Sequence, residues 1–235
     1  MKTLGLLGGM SWHSTVIYYR TINEMVNRRL GDWHSSKLLL YSVDLEECRL
    51  LMMSNDWHGL EKILSPVAVK LQDAGADCIV MCTNTPHMIA DAIREKIKIP
   101  LLHIAEETAK EIGKQKITTA ALLGTKITME ESFFRSRLEQ FGIKAMIPGD
   151  ADRDYIHASI LNELTKGIIN DETRKKYLDI IGRLKAGGAG GIIFGCTEIS
   201  LLFRPEDCGL PVFDTTLIHA QSAVDFALAP ETVAA

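Results

Sequence analysis

Residues 75–84 read GADCIVMCTN, and residues 188–197 read GAGGIIFGCT. Two more pairs of segments recur in the same order: KTLGLLG at 2–8 with TTAALLG at 118–124, and PLLH at 100–103 with PVFD at 211–214. The copies are separated by 113, 116 and 111 residues, respectively. Three blocks at nearly constant spacing predict that the 235-residue chain consists of two similar halves, each long enough to bury its own core.

Short apolar runs predict buried parallel strands in both halves. They lie near residues 2–7, 38–43, 77–81, 100–104, 117–123, 143–147, 190–195 and 211–213. Helical patterns lie near residues 14–30, 56–73, 128–141, 152–167, 171–186 and 215–228, and a further helix is expected to begin at Pro86. In the first helix, apolar residues spaced by three and four predict a buried stripe of Val16, Tyr19, Ile22, Val26 and Leu30.

The alternation of strands and helices predicts an α/β fold with two similar parallel sheets, each covered by helices on both faces. We expect residues 1–113 and 215–235 to form the first domain, with the last helix packing back on the first half. Residues 114–214 then form the second domain. Ligands of such folds bind beyond the carboxyl ends of the strands, so the residues directly after each strand are the candidates for chemistry.

Composition and charge exclude several classes of protein. The net charge of -4 gives no basic footprint for nucleic acid, and no run of Lys or Arg marks a membrane surface. No segment approaches the roughly 18 apolar residues of a transmembrane helix, and the N-terminal apolar stretch is too short for a signal peptide. Five cysteines without scaffold-like spacing favour reduced thiols. We therefore expect a soluble cytoplasmic protein that binds neither nucleic acid nor membranes.

Two strand-end segments, Cys82–Thr85 and Cys196–Glu198, carry the residues suited to catalysis. Each precedes a predicted helix start, where free backbone N–H groups favour an anion such as a substrate carboxylate. A cysteine there is expected to have a pKa below the roughly 8.5 of a free thiol and to serve as a base or nucleophile. By contrast, Cys48, Cys78 and Cys208 are expected to be small buried hydrophobic residues.

Two alignments of the strand-end segments are open. Without a gap, Thr83 falls opposite Cys196, and Cys82 falls opposite Gly195. Matching the two Cys-Thr dipeptides requires a shift of one residue and pairs Cys82 with Cys196. Successive residues of a strand point to opposite sides, so the two alignments predict different chemistry. Periodicity alone does not decide between them.

Six motifs resemble those of the aspartate/glutamate racemase superfamily, in particular its broad-specificity amino-acid racemase branch, over nearly the whole chain. They are GLLGGMSW at 5–12, YSVD at 41–44, CTNTPH at 82–87, LLGT at 122–125, GCTE at 195–198 and PVFDT at 211–215. The resemblance implies two similar α/β domains with the active site in the cleft between them, and a homodimer. It also implies catalysis without pyridoxal phosphate or metal, by two acid/base residues that flank the substrate α-carbon.

Members of this superfamily commonly carry two catalytic cysteines, the first of them directly before Asn-Thr. In this chain Thr83 holds that position and the cysteine is displaced to Cys82, which favours the alignment without a gap. The resemblance thus implies that Thr83 and Cys196 are the facing catalytic pair, with Cys196 acting on the L enantiomer. A hydroxyl is a far poorer base than a thiolate, so we expect unequal turnover in the two directions.

Racemisation passes through a planar carbanion-like state, which requires two positioned acid/base groups and donors around the substrate carboxylate. The residues expected to bind the substrate are Met10, Ser11, Asn84, Thr85, Thr125, Lys166, Thr197 and Glu198. Lys166 matches a family lysine that pairs with a distal carboxylate, and Arg49 lies near another such position; both are otherwise solvated charges. His87 either orients the first strand-end loop or is a hydrogen-bonded structural histidine.

Two other functions remain open. Superfamily relatives with a single essential cysteine decarboxylate malonates or isomerise maleate, and Cys196 alone meets that requirement here. Two α/β lobes around a cleft also suit a non-catalytic binding protein. Exchange of the α-proton of an amino acid distinguishes the racemase from both.

Overall fold

The computed structural model describes residues 1–230, apart from the side chain of Pro205. The chain divides into two compact units. Unit 1 comprises Met1–His103 and the chain from His219 onward, and unit 2 comprises Ile104–Ile218. No helix in the described part of the chain is long and apolar enough to cross a membrane.

Unit 1 contains a four-stranded parallel sheet with the strand order β2-β1-β3-β4. Its elements are β1 (Leu4–Gly8), α1 (Trp12–Leu30), β2 (Leu38–Ser42), α2 (Leu45–Met53), α3 (Trp57–Asp73), β3 (Cys78–Met81), α4 (Ala90–Arg94) and β4 (Leu101–Leu102). A 3₁₀ turn, Thr85–Ile89, follows β3. The apolar core lies on both faces of this sheet, as the continuous apolar strands require.

Unit 2 contains a second four-stranded parallel sheet, with the order β6-β5-β7-β8. Its elements are α5 (Ile104–Lys114), β5 (Thr119–Gly124), α6 (Lys126–Glu130), α7 (Ser132–Gln140), β6 (Lys144–Met146), α8 (Asp150–Asn162), α9 (Asp171–Ala186), β7 (Gly191–Gly195) and β8 (Val212–Asp214). The last helix, α10 (Thr215–Leu228), begins in unit 2 and continues into unit 1. Two parallel α/β sheets of the same strand order confirm the predicted fold class.

The described units and the predicted domains differ in their bounds. Helix α5, which the sequence patterns did not predict, follows β4 directly and belongs to unit 2, so the predicted boundary near Gly113 lies inside a helix of that unit. The first predicted domain extends to residue 235, and its residues 231–235 lie outside the described residues.

The buried face of α1 differs from the predicted stripe. Ile22 and Val26 are buried, but Val16, Tyr19 and Leu30 are exposed, so the prediction for these three residues is wrong. The buried face instead contains Tyr18, whose hydroxyl contacts a buried histidine, together with small polar residues near the start of the helix. An apolar pattern does not register polar side chains that are buried because they make hydrogen bonds.

Three predicted helices are also shorter or more divided than the sequence pattern indicates. The segment near 128–141 forms α6 and α7, separated at Glu131, whose backbone is extended. The segment near 152–167 ends as α8 at Asn162 and continues as the 3₁₀ turn Leu164–Lys166. The helix expected at Pro86 begins as a 3₁₀ turn with this proline in its first turn.

Candidate active site

The loop after β1 is fixed by a close backbone approach. Gly9 has φ +96° and donates its backbone N–H to Thr15 Oγ1 at 2.9 Å. A Cβ atom at Gly9 would lie 2.1 Å from the carbonyl oxygen of Val43, so a side chain is excluded there. Met10 follows as a buried residue, and Ser11 is the N-cap of α1. The loop that contains Met10 and Ser11 therefore has little freedom to move.

Cys82 lies at the end of β3 but faces the core. It belongs to the apolar cluster of Cys78 and Val80, on the sheet face covered by α1 and α10. Its thiol contacts the carbonyl oxygen of Val80 at 3.7 Å, and burial raises the pKa of this thiol far above its ordinary range. The neighbouring Thr83 is only partly buried. Of these two residues, Thr83 is the one with access to solvent or substrate.

Cys196 follows β7 and is also only partly buried. Its thiol donates a hydrogen bond to Glu198 Oε2 at 3.0 Å. Burial raises the pKa of Cys196 well above its ordinary value, and the charge of Glu198 raises it further. The short 3₁₀ turn Thr197–Leu201 does not offset these effects. The predicted depression of the cysteine pKa is therefore wrong at both strand ends.

The strand registers decide between the two alignments of the repeat. Leu4 pairs with Cys78 in unit 1, and Ala120 pairs with Gly191 in unit 2. Leu4 and Ala120 are 116 residues apart, Cys78 and Gly191 are 113 apart, and the same two offsets separate the sequence repeats. When the two units are aligned at these offsets, Cys82 corresponds to Gly195. The structure therefore supports the alignment without a gap.

The faces of the strands agree with this alignment. Cys196 packs in the cluster of Ile192 and Phe194, which are level with Ile79 and Met81 of unit 1. Ile79 and Met81 lie on the sheet face opposite to Cys82. Because alternate residues of a strand share a face, Cys82 does not occupy the position of Cys196. Thr83 occupies the equivalent position in the alignment.

The other predicted substrate-binding residues have different environments. Asn84 is buried and Thr85 partly buried at the end of β3. Thr197 is buried, with its hydroxyl 3.2 Å from that of Thr216. Thr125 is the N-cap of α6, and its hydroxyl accepts a hydrogen bond from the backbone of Thr128.

The two predicted specificity cations are both exposed. Lys166 lies at the end of the 3₁₀ turn after α8. Arg49 donates two hydrogen bonds to the carboxylate of Glu46, at 2.6 and 2.7 Å. Arg49 is therefore held in a local surface ion pair, whereas Lys166 remains a candidate for contact with a substrate carboxylate.

Sequence reasoning missed two features near the strand ends. It gave Glu198 only a substrate-binding role, although its carboxylate contacts the thiol of Cys196; the separation of two residues in the GCTE motif was the available signal. It also missed that His103 and His219 lie against His87 inside unit 1. No spacing in the sequence connects these three histidines.

Two units of the same parallel topology, with a hydroxyl and a thiol at equivalent strand ends, define a duplicated α/β protein. Residues 7–223 match the Asp/Glu/Hydantoin racemase family, and the chain belongs to this family of racemases. The resemblance found in the sequence motifs is thereby confirmed, and the protein is an isomerase of the amino-acid racemase class.

Three known proteins show the extent of the similarity. A putative Asp/Glu racemase from Yersinia pestis is 50% identical, with a TM-score of 0.94 over 97% of this chain and 100% of that one. An aspartate racemase homologue from Pyrococcus horikoshii OT3 is 30% identical, with a TM-score of 0.87 over the same shares of the two chains. The broad specificity amino-acid racemase RacX of Bacillus subtilis (strain 168) is 24% identical over 233 residues, which cover 96% of this chain and 98% of RacX.

Replacing Glu198 with glutamine is expected to lower the pKa of Cys196. The substitution removes the negative charge that disfavours the thiolate and keeps a side chain of similar size. Alkylation of Cys196 by iodoacetamide, followed by mass spectrometry of its peptide from pH 7 to 10, should become faster by about tenfold for each unit of pKa lost. Glu139→Gln, at an exposed position on α7, is the matched control. An unchanged or slower alkylation rate in Glu198→Gln would contradict the assignment.

Proposed function

We propose that the protein is a cofactor-independent racemase of aspartate, glutamate or a related amino acid. One proton leaves the α-carbon and another returns to the opposite face, without pyridoxal phosphate. Thr83 and Cys196 are the two acid/base groups. The observation that carries this proposal is the strand register, which gives these two residues equivalent positions in the two units.

In the direction from L to D, Cys196 acts as the base. Its thiol proton passes to the Glu198 carboxylate along the 3.0 Å hydrogen bond, and the resulting thiolate removes the α-proton. A proton from solvent reaches the other face through the Thr83 hydroxyl. Cys196 is a thiol again once it holds the α-proton, and Glu198 releases its proton to solvent, so the proton count balances.

The carbanion-like state requires fixed donors around the substrate carboxylate, because no cofactor delocalises its charge. We assign this role to Asn84, Thr85 and Thr197, and the opposite side of the carboxylate to the backbone of Met10 and Ser11. The burial of Asn84, Thr197 and Met10, and the constrained loop at Gly9, support preorganised donors. The hydroxyl of Thr125 is a further donor after its strand.

A dicarboxylic amino acid is the substrate class that we favour. The exposed ammonium of Lys166 suits a distal carboxylate, and the Yersinia and Pyrococcus proteins are described as an Asp/Glu racemase and an aspartate racemase homologue. The Bacillus relative is described as broad in specificity, so neutral amino acids belong in the same assay.

Incubation with L- and D-amino acids in deuterium oxide, without pyridoxal phosphate, tests the proposed reaction. NMR should show deuterium at the α-carbon and formation of the opposite enantiomer, with the highest rates for aspartate or glutamate. Cys196→Ser should lose the exchange, whereas Cys208→Ser, which changes a buried core thiol in the same unit, should keep it. Release of carbon dioxide from a malonate or consumption of maleate, without α-exchange, would favour the single-cysteine alternative.

Replacing Thr83 with alanine should lower kcat unequally for the two enantiomers, as initial rates at saturating substrate report, whereas kcat/KM falls equally in both directions because racemisation has an equilibrium constant of one. Cys196 still removes the α-proton of the L enantiomer in this variant, but the hydroxyl that passes a proton to the other face is gone. Separate initial rates from L and D substrate measure the effect, which we expect to be about 100-fold or more in the more affected direction. Thr83→Ser keeps the hydroxyl and should retain most of the rate. Equal, undiminished turnover of both enantiomers in Thr83→Ala would exclude a role for this side chain.

We propose that the protein forms a homodimer. Trp12, Val16 and Tyr19 lie on one face of α1 with exposures of 59, 54 and 50%, an apolar surface that a second copy would cover. Sedimentation equilibrium should give twice the 26.0 kDa mass of one chain. Val16→Glu should shift the mass towards one chain, whereas Phe141→Glu, at an exposed apolar position of unit 2, should not. A wild-type mass of 26.0 kDa would exclude the dimer.

A further inference from the structure

Three histidines are buried together inside unit 1. His87 lies on the 3₁₀ turn after β3, His103 follows β4, and His219 lies on α10; their exposures are 2, 1 and 0%. The ring centroids of His87 and His103 are 4.8 Å apart, and those of His87 and His219 are 5.6 Å apart. Both pairs meet edge to face. Such burial is unusual for imidazoles and requires specific partners.

Both ring nitrogens of His219 have hydrogen-bond partners in neighbouring elements. Its Nε2 lies 2.9 Å from the carbonyl oxygen of Leu102, which only accepts hydrogen bonds, so Nε2 carries the proton. Its Nδ1 lies 2.9 Å from the hydroxyl of Tyr18. The two ring nitrogens of His219 therefore anchor α10 to β4 and to α1.

His87 is oriented by the loop that carries Thr83. Its Nδ1 lies 3.2 Å from the carbonyl oxygen of Asn84, which also accepts the backbone N–H of His87 at 3.0 Å. Burial, followed by the proximity of His103 and His219, lowers the pKa of His87 well below its ordinary value. A neutral His87 has one N–H, and the carbonyl acceptor places it on Nδ1. Among the described residues, no group forms a hydrogen bond to Nε2 of His87.

We propose that His87 is a positioning residue for the racemase reaction, holding the loop of Thr83 and Asn84 through the hydrogen bond from Nδ1 to the Asn84 carbonyl. The rings of His103 and His219 pack against the ring of His87 and hold its orientation. This inference rests on the proposed function, in which the Thr83 hydroxyl and the Asn84 amide must be held in place before substrate arrives.

The geometry explains why a histidine, and not an aliphatic residue, occupies this buried position. An apolar side chain would remove the hydrogen bond from the ring to the carbonyl of Asn84, whereas the imidazole adds a second donor to the carbonyl that already accepts the backbone N–H of His87. A displacement of about 1 Å at a reacting group is enough to slow a reaction about 100-fold.

Two substitutions at His87 separate the hydrogen bond from the packing. Asparagine places an amide N–H near the position of Nδ1, whereas leucine fills a similar volume without a donor. Ile89→Val trims a buried side chain of the same 3₁₀ turn and leaves the hydrogen bond in place, so it is the control for loss of packing. Each variant is compared with the wild-type protein by hydrogen exchange and by racemisation.

In His87→Leu we expect faster deuterium uptake in the peptide of residues 82–89, and a fall in kcat of about 100-fold that exceeds any change in KM. We also expect Cys196-dependent exchange of the α-proton of L-substrate to fall less than racemisation, because Cys196 lies in the other unit. General damage to the fold would lower both rates equally. His87→Asn should restore most of the protection and turnover, and Ile89→Val should resemble wild type.

Equal impairment in His87→Asn and His87→Leu would overturn the role of the Nδ1 donor, and so would wild-type uptake and turnover in His87→Leu. Failure of the wild-type protein to exchange the α-proton of any amino acid would reject the proposed function instead. Deuterium uptake does not depend on activity, so it still decides whether His87 holds the loop.

Discussion

The register of parallel strand pairing is the constraint on which the candidate site depends. In each unit, the first strand pairs with the third strand in the same alignment, Leu4 with Cys78 and Ala120 with Gly191. A shift of one residue in either sheet would move every side chain of β3 or β7 to the opposite packed face, where it would meet different neighbours. Because both faces of these sheets are packed, the register is strongly determined, and with it the level at which each strand ends.

In each unit, two contacting residues lie at equivalent positions behind the loop that follows the third strand, but the residue types differ between the units. At the repeat offsets, His87 and His103 of unit 1 correspond to Ser200 and Asp214 of unit 2. The histidines meet edge to face as buried rings, whereas Ser200 donates a hydrogen bond of 2.5 Å to Asp214. Duplication therefore preserved a pair of contacting residues behind each strand-end loop while the residue types changed. Each pair joins the turn after the third strand to the end of the fourth strand.

The sequence predicted the strands well, because buried parallel strands are short apolar runs and the repeat marks them twice. It failed where polar groups determine structure. The exposure of Val16 and Tyr19 follows from the burial of Tyr18, whose partner His219 is 201 residues away. The raised pKa of Cys196 follows from burial and from Glu198, which a general rule about helix starts does not include. For the site, the sequence supplied the candidate residues and the family resemblance favoured Thr83 over Cys82, and the strand faces agree with that prediction.

The environments of the two catalytic groups give the proposed reaction a direction. Cys196 is kept as a thiol by burial and by Glu198, and the same carboxylate is the acceptor for the proton that the thiol must lose. On the side of unit 1, burial lowers the pKa of His87 well below its ordinary value, so this ring supplies no positive charge that would stabilise an alkoxide at Thr83. A hydroxyl without a nearby cation passes protons on but does not hold negative charge. In the proposed reaction of the L enantiomer, proton removal therefore belongs to Cys196 and proton return to Thr83.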